Sequence, residues 1–145
     1  MALFTDEEQE RIRQAIVQVE ENTSGEVRVC VEKSCSEDVL LRAAKYFESL
    51  DMQKTEQRHG VLIYLATADR KFAIIGDKGI NSVVAVDFWD TTKNAMLEHF
   101  KKGDLIEGIV VGLRIAGEQL QKSFPNGDNK NPNQLPDDVA FMDGD

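Results

Sequence analysis

Four aspartates in the second half of this 145-residue chain stand where an α/β fold can do chemistry. Asp77 lies in Gly76-Asp77-Lys78-Gly79, directly after an apolar run. Asp87 and Asp90 bracket Phe88-Trp89, and Asp104 follows Lys101-Lys102-Gly103. Carboxylates gathered at one mouth repel one another unless a cation joins them. Their hard oxygens suit calcium or magnesium rather than zinc or copper. In layered α/β folds such a mouth lies beyond the strand ends, at helix starts and glycine-rich turns. A plainer role is open for each acid: Asp77 as a polar strand exit, the other three as helix-start residues. Spacing alone does not prove convergence. The expectation carried forward is a Ca2+ or Mg2+ site made by Asp77, Asp87, Asp90 and Asp104.

Other chemistry has thinner support. The Gly76–Gly79 turn lacks both the Walker spacing and the GxGxxG pattern, so no phosphate-cradling loop is present. His59 and His99 are isolated and too few for a zinc set. Cys30 and Cys35 are five apart near the end of one strand, beyond bridging distance if extended. Both read as free thiols, which favours a reducing compartment. Cys30 reads as packing. Cys35, at a loop-to-helix junction, is the more exposed of the two, and a helix start lowers a thiol pKa. Asp69-Arg70 reads as a charge pair at an exposed hairpin corner, and Trp89 and Phe100 as core.

The elements that must position these residues follow from periodicity. Thr5-Asp6-Glu7-Glu8 is a capping box, and Ile12, Ile16 and Val19 continue at helical spacing to about residue 21. Glu26 to Glu32 alternates, with Val27, Val29 and Val31 on one face and Arg28, Cys30 and Glu32 on a partly solvated other. Ser36 caps a second helix with a stripe through Val39, Leu40, Ala43, Ala44, Phe47 and Leu50. Val61–Ala66 and Lys71–Ile75 are continuous apolar runs, hence central strands, and four residues can link them only as an antiparallel hairpin. The earlier strand-helix-strand unit is parallel. A third helix opens at Asp87 and closes at Gly103. Asp104 caps the next, which Pro125 ends. Gly108 and Gly112 cost that helix about 1 kcal/mol each against alanine, which makes sense if another element packs closely there. The fold class expected is α/β: a three-layer α/β/α sandwich on a mixed sheet, comprising a parallel βαβ unit and an antiparallel hairpin.

Composition narrows the function. The net charge of −9 leaves no basic face for nucleic acid and disfavours anionic membrane surfaces. The N-terminus MALFTDEEQE lacks the basic segment and apolar run of a signal peptide, and no stretch is long enough to span a bilayer. A soluble cytoplasmic protein is expected. Residues 1–124 read as one domain. Residues 125–145, PNGDNKNPNQLPDDVAFMDGD, hold all three prolines and five aspartates and read as a disordered acidic tail. That tail is no EF-hand loop, because Asp128, Lys130 and Pro132 break the ligand alternation. Its LPDDVAFM motif is suited to docking on a protein partner or back on the domain.

The order and spacing of SGEVRV at 24–29, HGVLIYLATADRKFAIIGDKGI at 59–80, DFWD at 87–90 and HFKKGDLIEGIVVGL at 99–113 resemble the TPM domain family. The likeness is to its compact bacterial branch and covers most of residues 5 to 124. The resemblance implies a three-layer sandwich, divalent-cation binding by acids at the strand ends, and a phosphatase activity known for some members. The matching acids are Asp77, Asp87, Asp90 and Asp104. Where many longer relatives have GYGLE after the third strand, this chain has GDKGI, and the glutamate of that pattern is missing. Two functions are therefore expected: a binding or accessory module for Ca2+ or Mg2+, or, alternatively, a metal-dependent acid phosphatase.

Overall fold

Strands alternate their side chains between two faces, so a strand apolar at every position must be covered on both. A computed structural model, which describes residues 4–21, 23–52, 59–125 and 139–142, satisfies this with helices on each side of one sheet. In chain order the elements are α1 (Asp6–Glu20), β1 (Glu26–Glu32), α2 (Val39–Ser49), β2 (Gly60–Ala66), β3 (Lys71–Gly76), α3 (Lys78–Asn81), α4 (Phe88–Phe100), α5 (Leu105–Ser123) and β4 (Ala140–Phe141).

The sheet order is β3-β2-β1-β4. β1 and β2 are parallel, in a register that sets Glu26 beside Gly60 and Glu32 beside Ala66. β2 and β3 form the expected antiparallel hairpin, pairing Val61 with Gly76 and Ala66 with Lys71. Odd-numbered residues of β1 and β2 (Val27, Val29, Val31, Val61, Ile63, Leu65) join Phe72 and Ile74 in one core with Ile12, Ile16, Met96, Ile109, Leu113 and Leu120 from α1, α4 and α5. Even-numbered positions (Cys30, Leu62, Tyr64, Ala66) join Ala73 in a second core against Ala43, with Val39, Tyr46 and Phe47 of α2 packed on it. The α/β/α sandwich is therefore as expected.

Five local expectations need correction. Lys71–Ile75 belongs to an edge strand, β3, and not to a central one: among the described residues it pairs with β2 alone. All seven residues of β1 are buried, so Arg28, Cys30 and Glu32 face no solvent. Alternation of polarity cannot by itself distinguish a wet face from one whose polar groups are satisfied internally. The second helix is capped by Asp38, whose side chain accepts from the Leu41 amide, and not by Ser36. Asp77 is followed by a short helix, α3, where a plain strand exit was anticipated. The tail is not wholly without structure: Val139, Ala140, Phe141 and Met142 return to the sheet. Ala140 and Phe141 pair in parallel with Cys30 and Val31, and Phe141 sets its ring edge-on against Phe4, 5.9 Å between centroids. Of its two anticipated docking modes, LPDDVAFM thus takes at least in part the one back on the domain. Residues 126–138 and 143–145 of that tail lie outside the described residues.

The glycines mark close approaches. Gly103, φ 82°, adopts the left-handed backbone anticipated for a helix end. Gly108 faces the Phe100 ring, and a Cβ there would also stand 3.1 Å from the Met96 carbonyl; one at Gly112 would lie 2.5 Å from Met96 Sδ. This is how α5 packs onto α4. Replacing Gly108 by alanine gains helix propensity of about 1 kcal/mol but forces overpacking that costs about 1–3 kcal/mol. Gly108→Ala is expected to lower unfolding free energy by about 1 kcal/mol net in urea titration; a stabilised variant would show that the α4–α5 seam is loose.

Candidate functional site

The carboxyl end of β1 carries a polar network centred on Glu32. Glu32 closes β1 at 3% exposure. Its carboxylate accepts from Arg42 Nε at 2.9 Å and Nη2 at 3.2 Å, and from the hydroxyls of Tyr46 and Tyr64. Burial alone would raise its pKa, but the bonds from Arg42, Tyr46 and Tyr64 outweigh burial and hold it below the usual carboxylate range. Arg42 also donates to Glu37 Oε2 at 3.0 Å, and Lys45 to Glu37 Oε1 at 2.8 Å. The same network pushes the Tyr46 hydroxyl up to about 12, through burial first and the bond to Glu32 second.

Cys35 sits in this construction and is 2% exposed, against the expectation of an accessible thiol. Its Sγ donates to the Glu37 carbonyl at 3.2 Å, its amide to Asp69 Oδ2 at 2.6 Å, and its carbonyl accepts from Lys71 Nζ at 3.0 Å. The Asp69 carboxylate therefore ties the hairpin turn to the β1–α2 loop, where an Asp69-Arg70 charge pair was expected. Both cysteines are free, as expected, and burial pushes the Cys30 thiol up to about 12, which makes it inert.

On the other face of the same sheet end lie two cavities. One, of about 540 Å³, has an apolar lining that includes Leu65, Phe72, Leu97, Phe100 and Leu105, with Arg70 and Lys101 as its charged groups. The other, of about 620 Å³, is lined by Glu7, Glu8, Asp104 and Glu107 with Arg11 as the one cation. Gly103 and Leu105 line both, so the α4–α5 turn is the wall between them. Glu8 also closes the anticipated capping box with Thr5, and Arg11 pairs with Glu107.

The four expected metal ligands do not share one mouth. The Asp77 amide donates to the Gly60 carbonyl at 2.8 Å, which places Asp77 where β2 begins. Asp104 stands by the cavities at the other end of β2, a seven-residue strand, roughly 20 Å long at strand rise. Asp87 and Asp90 belong to the Asp77 end, because Trp89 between them packs against Gly76, and its indole donates to Asn81 Oδ1 at 2.8 Å. Among the described residues, no three His, Cys, Asp or Glu side chains group closely enough to hold a metal ion.

Their local roles also differ from expectation. Asp77 is 6% exposed and accepts from the Lys78 amide at 2.7 Å. Asp87 and Asp104 occupy helix N-cap positions but make no side-chain cap bond. Asp77 shares its end with His59, whose ring stacks on Phe124 with 3.4 Å between centroids. Burial depresses the His59 pKa against the opposing pull of Asp77.

A profile of the TPM domain family matches residues 1–119. The chain belongs to the TPM domain family. Among solved structures, this TPM domain is similar to the BA42 protein of the psychrophilic bacterium Bizionia argentinensis, with 45% identity and a TM-score of 0.89 over 97% of this chain and 96% of that one. It shares its fold with the N-terminal domain of the cg2496 protein of Corynebacterium glutamicum, at 15% identity and a TM-score of 0.66 over 83% and 76% of the two chains. No protein of curated function matches it in sequence. Among the described residues of this TPM domain, no helix is long and apolar enough to cross a membrane.

In the sequence Glu32 reads as a solvated strand residue, and its network is not apparent there. The available signal was a carboxylate ending a valine run, with an arginine and a tyrosine four apart (Arg42, Tyr46) on the next helix. Its acid titration has a defined sign. The folded pKa lies below the unfolded value of about 4.3, so its stabilisation is present above that pH and is lost as pH falls through the folded value. Glu32→Gln is expected to cost about 2 kcal/mol at pH 7, since the partly exposed Arg42 can recover some hydration. The gap between parent and variant should shrink below about pH 4 in unfolding titrations; a pH-independent gap would refute an ionised Glu32.

Proposed function

We infer that this TPM domain acts as a binding module that holds a hydrated divalent cation at the acidic cavity beside Asp104. The observation that carries the reading is charge within one cavity: Glu7, Glu8, Asp104 and Glu107 face a single cation, Arg11. Such a wall concentrates small cations even where few carboxylates can coordinate at once. Magnesium suits it better than calcium. Mg2+ keeps most of its water and needs one or two carboxylates, whereas Ca2+ takes six to eight oxygens. The resemblance that implies cation binding by Asp77, Asp87, Asp90 and Asp104 supports this in part. A cation held with Asp104 would be a different ion from one held at the Asp77 end.

One further observation favours the phosphatase alternative. Across the Gly103–Leu105 wall from the acidic cavity stand Arg70 and Lys101. A cation on one side and a phosphate on the other would have the charge arrangement of metal-assisted hydrolysis, in which the ion polarises a phosphate oxygen and activates water.

Amide shifts under MgCl2 titration test the primary reading. Saturating shifts at residues 5–8 and 103–107 are expected, with a dissociation constant of about 1 mM, at the weak end of protein–cation sites. Asp104→Asn should weaken binding at least about fivefold and Asp77→Ala should leave it unchanged. Shifts confined to the Asp77, Asp87 and Asp90 end, or none at all, would reject it. Magnesium-dependent phosphate release abolished by Asp104→Asn would favour the alternative.

A further inference from the structure

The cavity lined by Arg70 and Lys101 differs in chemistry from its acidic neighbour, and the cation reading makes no use of it. Its walls come from the end of β2 (Leu65, Ala66), from β3 (Phe72), and from the end of α4 with the start of α5 (Leu97, Phe100, Leu105). Phe72 and Phe100 meet edge-on, 4.7 Å between centroids, and make a rigid aromatic floor. A volume of about 540 Å³ lies within the range of small-molecule sites, which are mostly apolar with a few charged groups that fix orientation.

Charge settles the kind of ligand. In a protein of net charge −9, the charged residues lining this cavity are both cations. A third cation, Lys93, lies over the Phe72 ring, with Nζ 5.3 Å from its centroid. The acid beside Arg70 in sequence, Asp69, directs its carboxylate to the Cys35 amide on the α2 side of the sheet. Two acids lie near Lys101 in sequence: Asp104 lines the adjoining cavity, and Glu98 is exposed on α4 outside this lining. Arg70 is held at φ 54° in the hairpin turn, so its position in the rim is set by the turn. The place in the fold, outside the carboxyl ends of the parallel strands, is where α/β sheets take ligands.

The geometry points to a binding site for a small amphiphilic anion: one carboxylate-type head between Arg70 and Lys101, and an apolar body laid on Phe72, Phe100, Leu65, Leu97 and Leu105. Neither charge alone nor apolar surface alone reproduces that fit, so three probes separate the contributions. Decanoate below its micelle concentration carries head and body. Decyltrimethylammonium carries the body with the opposite charge. Inorganic phosphate carries charge alone.

Amide and methyl shifts of the intact chain provide the readout. Decanoate is expected to move Leu65–Thr67, Arg70, Leu97–Lys101 and Leu105 in a saturable way, at least about tenfold more tightly than either other probe. The double variant Arg70→Gln, Lys101→Gln, at two exposed positions that leave the core intact, should weaken decanoate by about tenfold with unchanged melting temperature. Equal binding of decyltrimethylammonium, equal or tighter binding of phosphate, decanoate shifts elsewhere on the surface, or a double variant that binds like the parent would each overturn the assignment. Magnesium titration of the same double variant keeps the two sites distinguishable: loss of decanoate binding with magnesium binding intact separates this site from the acidic one.

Discussion

A charged carboxylate buried at the end of a strand is costly unless every lone pair is met. Glu32 meets that condition with two nitrogens of Arg42 and two tyrosine hydroxyls. Tyr64 comes from β2 while Arg42 and Tyr46 come from α2, so one acid joins the parallel strand pair to the helix that covers that face. The β1–α2 loop is held from the other side by Asp69 and Lys71, which grip the Cys35 backbone. Both sides of the sheet end are thereby fixed, and the hairpin turn that carries Arg70 is anchored by its neighbour. The cavities on the opposite face owe their shape to this polar construction as much as to the apolar core.

Much of the architecture was legible because the hydrophobic pattern has one solution. The run Val61–Ala66 had to be a central strand, and a four-residue link to Lys71–Ile75 allowed one pairing; that second run also reads as central, yet it forms the edge strand β3, because apolar residues covered on both faces do not reveal whether a further strand lies alongside. Capping at Thr5 and closure at Gly103 were equally readable, being local chemistry. Polar residues were less transparent. Arg28, Cys30 and Glu32 look like a wet face, and only the placement of α2 reveals that the face is dry. Asp38 outcompetes Ser36 as a cap for reasons the string does not carry.

The candidate site was legible only in part, because convergence is a property of three dimensions. Asp77, Asp87 and Asp90 lie toward one end of the sheet, since α3 is too short to carry the chain away from the β3 end. Asp104 was wrongly joined to them: α4 is thirteen residues long and takes the chain the whole length of the sheet. Glu7 and Glu8, in the first turn of α1, are the acids that line its cavity instead, and nothing in their spacing from Asp104 hints at it. Gly76 leaves room for Trp89 and Ile80, a packing role that its place in a polar turn does not suggest.

The sheet's outer margin has a consequence of its own. β1 is flanked there by a strand of two residues, with the Glu20 carboxylate accepting from the Val27 amide nearby and the Met142 amide closing on the Val31 carbonyl. These few contacts shield a valine-rich strand whose backbone would otherwise recruit other chains. Residues 139–142 thus act as a guard against self-association: a version without them would keep most of its core yet bare a sticky seam, and its fate in concentrated solution would be governed by colloidal behaviour more than by thermodynamic stability.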